Sequence, residues 1–387
     1  MLPLIALFFL IFSPLEAKPL QVEIHAKSAI LINSSTGTVL FEKNADQPSP
    51  PASITKIATA LYVLENFDPD QITVVGQEAL RKKPSKGNWE QMPPYWLEEE
   101  GSSLGLNRDE EISIDALLHG MMLCSGNDAA NALGEFASGS LPQFIRDLNQ
   151  ILPQIGCRKT HFSNPHGLHH SDHVTTARDM ALITARALKI PKFREIVAKR
   201  SYRKPKTNKS RETEIKQSNR LLNEGPFFYS KAIGVKTGFT SQAKNTLVAA
   251  AEHEGRTLIA VLLGCENRED RYLDAIALFE AAFAEKKVHF VLIEPLTRYQ
   301  KNLEGAKTPL SAVLSKAISV DFYPAEEPLI YAEIHWKIPP LPIPKGALVG
   351  EIHLYDGKKR LETVPLLAER PVERTWRSAL KHLFFKN

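Results

Sequence analysis

Three β-forming runs, Ala232–Thr240, Thr246–Ala251 and Thr257–Leu263, follow one another closely, the last two parted only by a polar turn containing Gly255. Helical spacing flanks the runs. Ser53 opens a segment with apolar Ile57, Ala60, Leu61 and Leu64, and residues 114–137 are helical on either side of a Ser125-Gly126 break. Thr176-Ala177-Arg178-Asp179 caps a further helix through Leu188. From Asp270 to Ala284 the apolar positions Leu273, Ile276, Phe279 and Phe283 return at helical intervals. With a hairpin predicted over Ser28–Lys43, the pattern describes an α/β (α+β) domain in which helices cover an antiparallel sheet.

After about Val288 the texture changes to short alternating stretches, such as Ile330–Trp336 and Leu348–Leu354, divided by Pro- and Gly-rich turns. That predicts a small all-β domain over 289–370, behind a larger domain over 18–288. Residues 81–101, with Lys82, Lys83, Lys86, Glu98, Glu99, Glu100 and Pro93-Pro94, read as an inserted surface loop. Residues 199–216 hold eight basic side chains against Glu212 and Glu214 and read as a solvated loop or hairpin.

The two ends differ from the body. Residues 1–17 carry an uncharged run, Leu4 to Phe12, closed by Pro14 and by Leu15-Glu16-Ala17. This is too short to span a bilayer comfortably and suits an export signal, with the mature chain starting near Lys18, although no Lys or Arg precedes the run; a buried N-terminal core segment is the other reading. Residues 371–387 place Val372, Trp376, Ala379, Leu380, Leu383 and Phe384 on one helical face and Arg374, Arg377 and Lys381 elsewhere. A basic amphipathic helix of this kind suits the headgroups of an anionic bilayer, and a helix docked on its own domain is the other reading. The overall balance, 48 basic against 44 acidic residues, is too even for nucleic-acid binding. From Glu369 to the end, five basic residues oppose two acidic ones, so most of the +4 lies in this foot. The three cysteines, Cys124, Cys157 and Cys265, form no C-x-x-C pair and read as small buried hydrophobes.

The chemistry starts at Ser53-Ile54-Thr55-Lys56. Three residues apart at a helix start, hydroxyl and amine share a face, and a Lys with depressed pKa can take the Ser proton. Ser-x-x-Lys recurs at Ser201/Lys204, Ser241/Lys244 and Ser378/Lys381, so the spacing alone decides nothing. Its company does. Ser125-Gly126-Asn127 is the only Ser-x-Asn and lies at the helix break, where its polar groups can face a cleft. Lys236-Thr237-Gly238 is the only Lys-Thr-Gly and lies on a β run, where Gly238 admits close approach of a substrate backbone. These three motifs together are the recorded signature of class A β-lactamases and penicillin-binding proteins.

With Pro51–Lys56, Ser125–Ala130, Phe162–Leu168, Thr176–Asp179, Gly234–Thr240 and Pro344–Gly350, the chain resembles the serine-type D-alanyl-D-alanine carboxypeptidases, the low-molecular-mass penicillin-binding proteins. The resemblance implies that Ser53 attacks the bond between the last two D-alanines of a peptidoglycan stem peptide, with no cofactor, and that β-lactams acylate it. It makes Lys56 the base, with Ser125 and Asn127 relaying protons and positioning substrate. Lys236 and Thr237 hold the terminal carboxylate, and the N–H groups of Ser53 and Phe239 form the oxyanion hole. Arg271 matches a substrate-side Arg of the family. A family pair of Asn residues appears here as Gln217-Ser218-Asn219, so only Asn219 carries over. The resemblance also implies an enzyme on the periplasmic face of the cytoplasmic membrane.

Other readings fit less well. A class A β-lactamase carries Glu-x-x-Leu-Asn, which is missing between Asn127 and Lys236. Five imidazoles fall within residues 161–173, but no His-Glu-x-x-His accompanies them, so the run reads as a loop rather than a metal site. An endopeptidase or transpeptidase shares the acyl-enzyme and differs in leaving group or acceptor. A non-catalytic wall-organising protein would not need the full motif set.

Overall fold

The computed structural model describes residues 8–11, 18–84, 87, 91–326, 328 and 330–376. The chain forms two compact units, one running from Pro19 to Ala284 and the other from Glu285 onward with the N-terminal strand Phe8–Ile11.

In the first unit a five-stranded antiparallel sheet has the order Val39–Lys43, Ser28–Asn33, Arg256–Cys265, Lys244–His253, Ala232–Thr240. The three predicted runs are thus one contiguous meander, and Ser28–Lys43 is the predicted hairpin. The central strands are buried along most of their length, so both faces need cover. Helices supply it. Lys56–Asn66, Ile114–Leu123, Asn127–Ser138, Leu141–Ile155, Ala177–Ala187 and Pro191–Ala198 pack a core containing Ile57, Leu61, Leu117, Met121, Leu133, Phe144 and Phe193. The opposite face receives Asp270–Phe283.

Two elements depart from expectation in detail. The helix Asp270–Phe283 buries Tyr272, Ala275, Leu278, Phe279 and Ala282, whereas Leu273 faces solvent. Its buried stripe also includes Asp274, whose carboxylate accepts from the backbone N–H groups of His25 and Ala26 and so pins the incoming chain. The helices Leu141–Ile155 and Pro191–Ala198 were not anticipated. The first is nonetheless marked by Ser140, which caps it by accepting from Gln143 N, and by Gly156 at its end. The basic segment 199–216 is a hairpin, Ser201–Lys204 against Thr213–Lys216. Its tip is anchored: buried Glu110 accepts from Ser210 Oγ at 2.6 Å and Thr207 Oγ1 at 2.7 Å.

The second unit is a curled sheet ordered Phe8–Ile11, Ile330–Trp336, Leu348–Asp356, Lys359–Ala368, Leu310–Leu314, Arg298–Lys301, with a separate pair Val288–Ile293 and Ile318–Phe322. Val349, Ile352, Leu354, Val364 and Leu366 form its core. Val372 belongs to that core as well. It is bridged to Ile343 and fully buried, so it does not share an apolar helical face with the residues after it. Trp376 is 67% exposed, and residues 377–387 lie outside the described residues. Of the expected leader, only Phe8–Ile11 is described, antiparallel to Ile330–Trp336. No described helix is long and apolar enough to cross a membrane.

Candidate active site

Ala52–Thr55 make a 3-10 turn that passes directly into the helix Lys56–Asn66. Ala52 takes φ +53°, a left-handed conformation costly for a residue with a Cβ. Two glycines explain how the turn is accommodated. A Cβ on Gly167 would lie 2.0 Å from the Ala52 carbonyl oxygen, and one on Gly238 would lie 2.9 Å from Ser53 N. The Ala52–Ser53 peptide is therefore sandwiched between two stretches of bare backbone. Neither position tolerates a side chain.

Lys56 is buried, and its amine contacts three oxygens: His166 O at 2.6 Å, Asn127 Oδ1 at 2.7 Å and Ser53 Oγ at 3.1 Å. Burial holds its pKa well below that of a free lysine, and the nearby Lys236 ammonium lowers it further. A neutral amine has two N–H groups and one lone pair. The carbonyl and the amide oxygen can only accept, so they take both N–H groups and leave the lone pair for the Ser53 hydroxyl. The geometry thus leaves the lone pair of a neutral Lys56 directed at Ser53 Oγ.

Asn127 opens the helix Asn127–Ser138 and is preceded by Ser125 at φ +66°, the predicted break. Its backbone N–H donates to Ser102 O, and the next residue, Asp128, accepts from Ser103 Oγ and from the N–H groups of Leu104, Gly105 and Leu106. One carboxylate therefore holds a whole loop against the Ser125–Asn127 motif.

Lys236 lies on Ala232–Thr240, the edge strand of the sheet, just after a register shift between Ala232 and Gly234. An edge strand leaves alternate N–H groups without a strand partner, free for a substrate backbone. Burial brings the Lys236 amine down to about 7, with Arg271 contributing in the same direction and the Cys124 side chain opposing both. Thr237 Oγ1 lies 3.3 Å from Ser218 Oγ, and Phe239 presents an exposed ring. Ser53, Ser125, Asn127, Thr237, Gly238, Phe239, Ser218 and Arg271 line one cleft of about 1780 Å³.

Two sequence-derived binding residues are used differently. Asn219 is fully buried and turned inward, its Oδ1 accepting from Leu221 N; Ser218 faces the cleft in its place. Arg271 reaches the cleft wall but spends Nη1 on the carbonyls of Gly238 and Thr246, bracing the edge strand against its neighbour. The family resemblance put both residues near the site without revealing which way they point.

The segment 81–101 is more than a surface loop. Lys83, Glu98 and Glu100 line the cleft, and the Tyr95 carbonyl accepts from Asn131 Nδ2 at 2.9 Å and lies 3.2 Å from His166 Nε2. Arg81 stacks over Trp96 at 4.3 Å. Residues 85, 86 and 88–90 lie outside the described residues. The motif Phe162–Leu168 also carries no sequence signal that the His166 carbonyl meets Lys56. Among the described residues, no three His, Cys, Asp or Glu side chains are grouped to hold a metal ion.

A hydroxyl served by a buried lysine amine, beside an edge strand carrying a second buried lysine, defines a serine hydrolase of the lysine-activated class. The family model described as D-alanyl-D-alanine carboxypeptidase, Peptidase S11, matches residues 15–267, and the chain belongs to that family. The D-alanyl-D-alanine carboxypeptidase DacF of Bacillus subtilis (strain 168) is 31% identical over 296 residues, covering 76% of this chain and 70% of its own. DacD of Escherichia coli (strain K12), of the same name, is 30% identical over 366 residues, covering 90% of this chain and 87% of its own. Among solved structures, penicillin binding protein 6B from Escherichia coli superposes with a TM-score of 0.63 at 27% identity, over 90% of this chain and 97% of that one.

Proposed function

We propose that the protein is an exported serine D,D-carboxypeptidase that removes the terminal D-alanine from peptidoglycan pentapeptide stems, and that penicillins acylate the same serine. The observation that carries this reading is the Lys56 amine, with both N–H groups committed to His166 O and Asn127 Oδ1 and its lone pair left for Ser53 Oγ at 3.1 Å.

In the reaction, Lys56 takes the Ser53 proton as Oγ attacks the carbonyl carbon of the penultimate D-alanine. The N–H groups of Ser53 and Phe239 receive the oxyanion. Protonated Lys236 and the Thr237 hydroxyl hold the terminal carboxylate, with the Arg271 guanidinium bracing the strand that carries them. The proton passes by way of Ser125 to the departing amine, the C–N bond breaks, and D-alanine leaves. Water then attacks the ester, its proton returning through Lys56, and the stem peptide is released from Ser53.

The apolar leader 1–17 supports export, and the basic amphipathic pattern beyond Val372 supports a peripheral hold on the membrane surface, on the periplasmic face of the cytoplasmic membrane. Incubation with a pentapeptide, and separately with cross-linked muropeptides, tests the reaction by product mass. Release of free D-alanine is expected. Products only from cross-linked material would mean an endopeptidase, and products only on adding an amine acceptor a transpeptidase.

A further inference from the structure

Of the five imidazoles between residues 161 and 173, only His166 and His173 are buried, and His173 is the one that neither faces the cleft nor meets the catalytic amine. Its ring is fixed at both nitrogens. The Ser163 backbone N–H donates to Nδ1 at 2.9 Å, and since an N–H can only donate, Nδ1 is bare. The ring proton is therefore on Nε2, which donates to Thr55 Oγ1 at 2.8 Å. The Thr55 hydroxyl donates in turn to the Ala52 carbonyl at 2.9 Å. The chain Ser163 N–H, His173, Thr55, Ala52 O runs in one direction and is buried throughout.

It ends on an informative atom. A trans peptide places its C=O and N–H on opposite sides, so gripping the Ala52 oxygen sets the direction of the Ser53 N–H. That N–H is an oxyanion donor in the reaction above, and Ala52 is the residue held at φ +53°. A left-handed alanine costs on the order of 1–2 kcal/mol and persists only when its surroundings hold it. Gly167 and Gly238 leave room for the turn, but bare backbone does not choose the rotation of the peptide plane. The 3-10 turn orients the Ala52 carbonyl along the chain, and the Thr55 hydroxyl fixes it from the side.

We propose that His173 is a positioning residue for acylation: acting through Thr55, it fixes the Ala52–Ser53 peptide plane so that the Ser53 N–H meets the developing oxyanion. The inference rests on Ser53 being the nucleophile. Burial also brings the His173 pKa down to about 3, with the neighbouring His161, His170, His169 and Lys56 adding to the effect, so the ring stays neutral and the chain keeps its direction.

The test uses the full-length protein, a fluorescent penicillin, four single variants, Thr55→Val, Thr55→Ser, His173→Gln and His173→Phe, and the double variant T55V/H173F. Thr55→Val is close to isosteric and removes only the hydroxyl. It should lower the limiting acylation rate by about tenfold or more while leaving the noncovalent encounter constant near wild type. Thr55→Ser and His173→Gln keep a donor in place and should stay within about threefold of wild type. The double variant T55V/H173F should be no slower than the slower single, because both break one chain. Wild-type rates for Thr55→Val, or losses that multiply in the double variant, would overturn the proposal. Should His173→Phe fail to fold, imidazole nitrogen NMR of the wild type decides. A bare Nδ1 and protonated Nε2 between about pH 5 and pH 8 is expected, and the other tautomer or a charged ring would overturn it. Labelling of a Ser53→Ala control would instead overturn the nucleophile itself, which separates the two failures.

Discussion

Lys56 Nζ lies closer to the His166 carbonyl oxygen, at 2.6 Å, than to the Ser53 hydroxyl it serves, at 3.1 Å. The amine is held first and is reactive second. Its position is set by a carbonyl and an amide, so the lone pair has one direction left to point.

Replacing Ser53 by Ala should abolish covalent labelling by a fluorescent penicillin and leave the melting temperature close to wild type, because the hydroxyl is half-buried at a turn. Gel fluorescence and a thermal melt check both halves. A labelled Ser53→Ala protein would place the nucleophile elsewhere.

In the proposed reaction the two buried lysines need opposite charge states, which would fix the pH profile. Lys56 must be neutral, and its depressed pKa keeps it so until the pH falls through that value, giving an acidic limb. Lys236 must be charged to hold a carboxylate, and with a pKa of about 7 it loses the proton as pH rises, giving an alkaline limb. The second-order acylation rate should therefore be bell-shaped. Lys236→Arg keeps its charge at any working pH, so the alkaline limb should vanish in that variant. If the limb stays where it was, Lys236 is not its source.

The same shift bears on stability. An amine whose folded pKa lies below its unfolded one binds more protons unfolded, so stability rises with pH between about 7 and 10.5. The difference between wild-type and Lys236→Met urea midpoints should shrink across that window as pH increases. A constant difference would mean that the amine titrates normally in the fold.

Gly167→Ala adds a single methyl group that would sit 2.0 Å from the Ala52 oxygen, at a residue with φ +96°. No functional group is lost, yet the nucleophile turn has to shift, and displacements near 1 Å cost on the order of 100-fold in rate. Stopped-flow acylation should show at least that loss. A near-normal rate would mean that the turn relaxes freely.

Asp128→Ala removes the acceptor shared by Ser103, Leu104, Gly105 and Leu106. The freed N–H groups can reach water in part, so a loss of about 3 kcal/mol is expected in urea titrations. Acylation should slow as well, because Asn127 is tied to the same loop through Ser102. A loss under about 1 kcal/mol would show the loop to be held by other contacts.

What could be read from the sequence was what depends on short spacing. Ser53 and Lys56 share a helical face, Ser125-Gly126 breaks a helix, and the runs from Ala232 pair with their neighbours. What could not be read depends on distant partners. Thr55 meets His173 118 positions away, and Lys56 meets His166 110 positions away. Direction was also hidden. Asn219 and Ser218 are adjacent, and strand ends do not announce which of two neighbours turns inward. Arg271 could be placed near the cleft, but its choice of backbone carbonyls over open solvent depends on how two strands lie beside it. Leu273 failed for a simpler reason: the covering helix is rotated so that buried Asp274 can hold the chain at His25 and Ala26.

The floor of the cleft is backbone pressed between Gly167 and Gly238. An antibiotic and a wall peptide would rest on the same hydroxyl and the same amide there, and selection for drug tolerance has almost no side chain to exchange. Adaptation would have to work at the rim, where Leu168, Phe239 and the 98–101 stretch stand, or by hastening release of the bound acyl group.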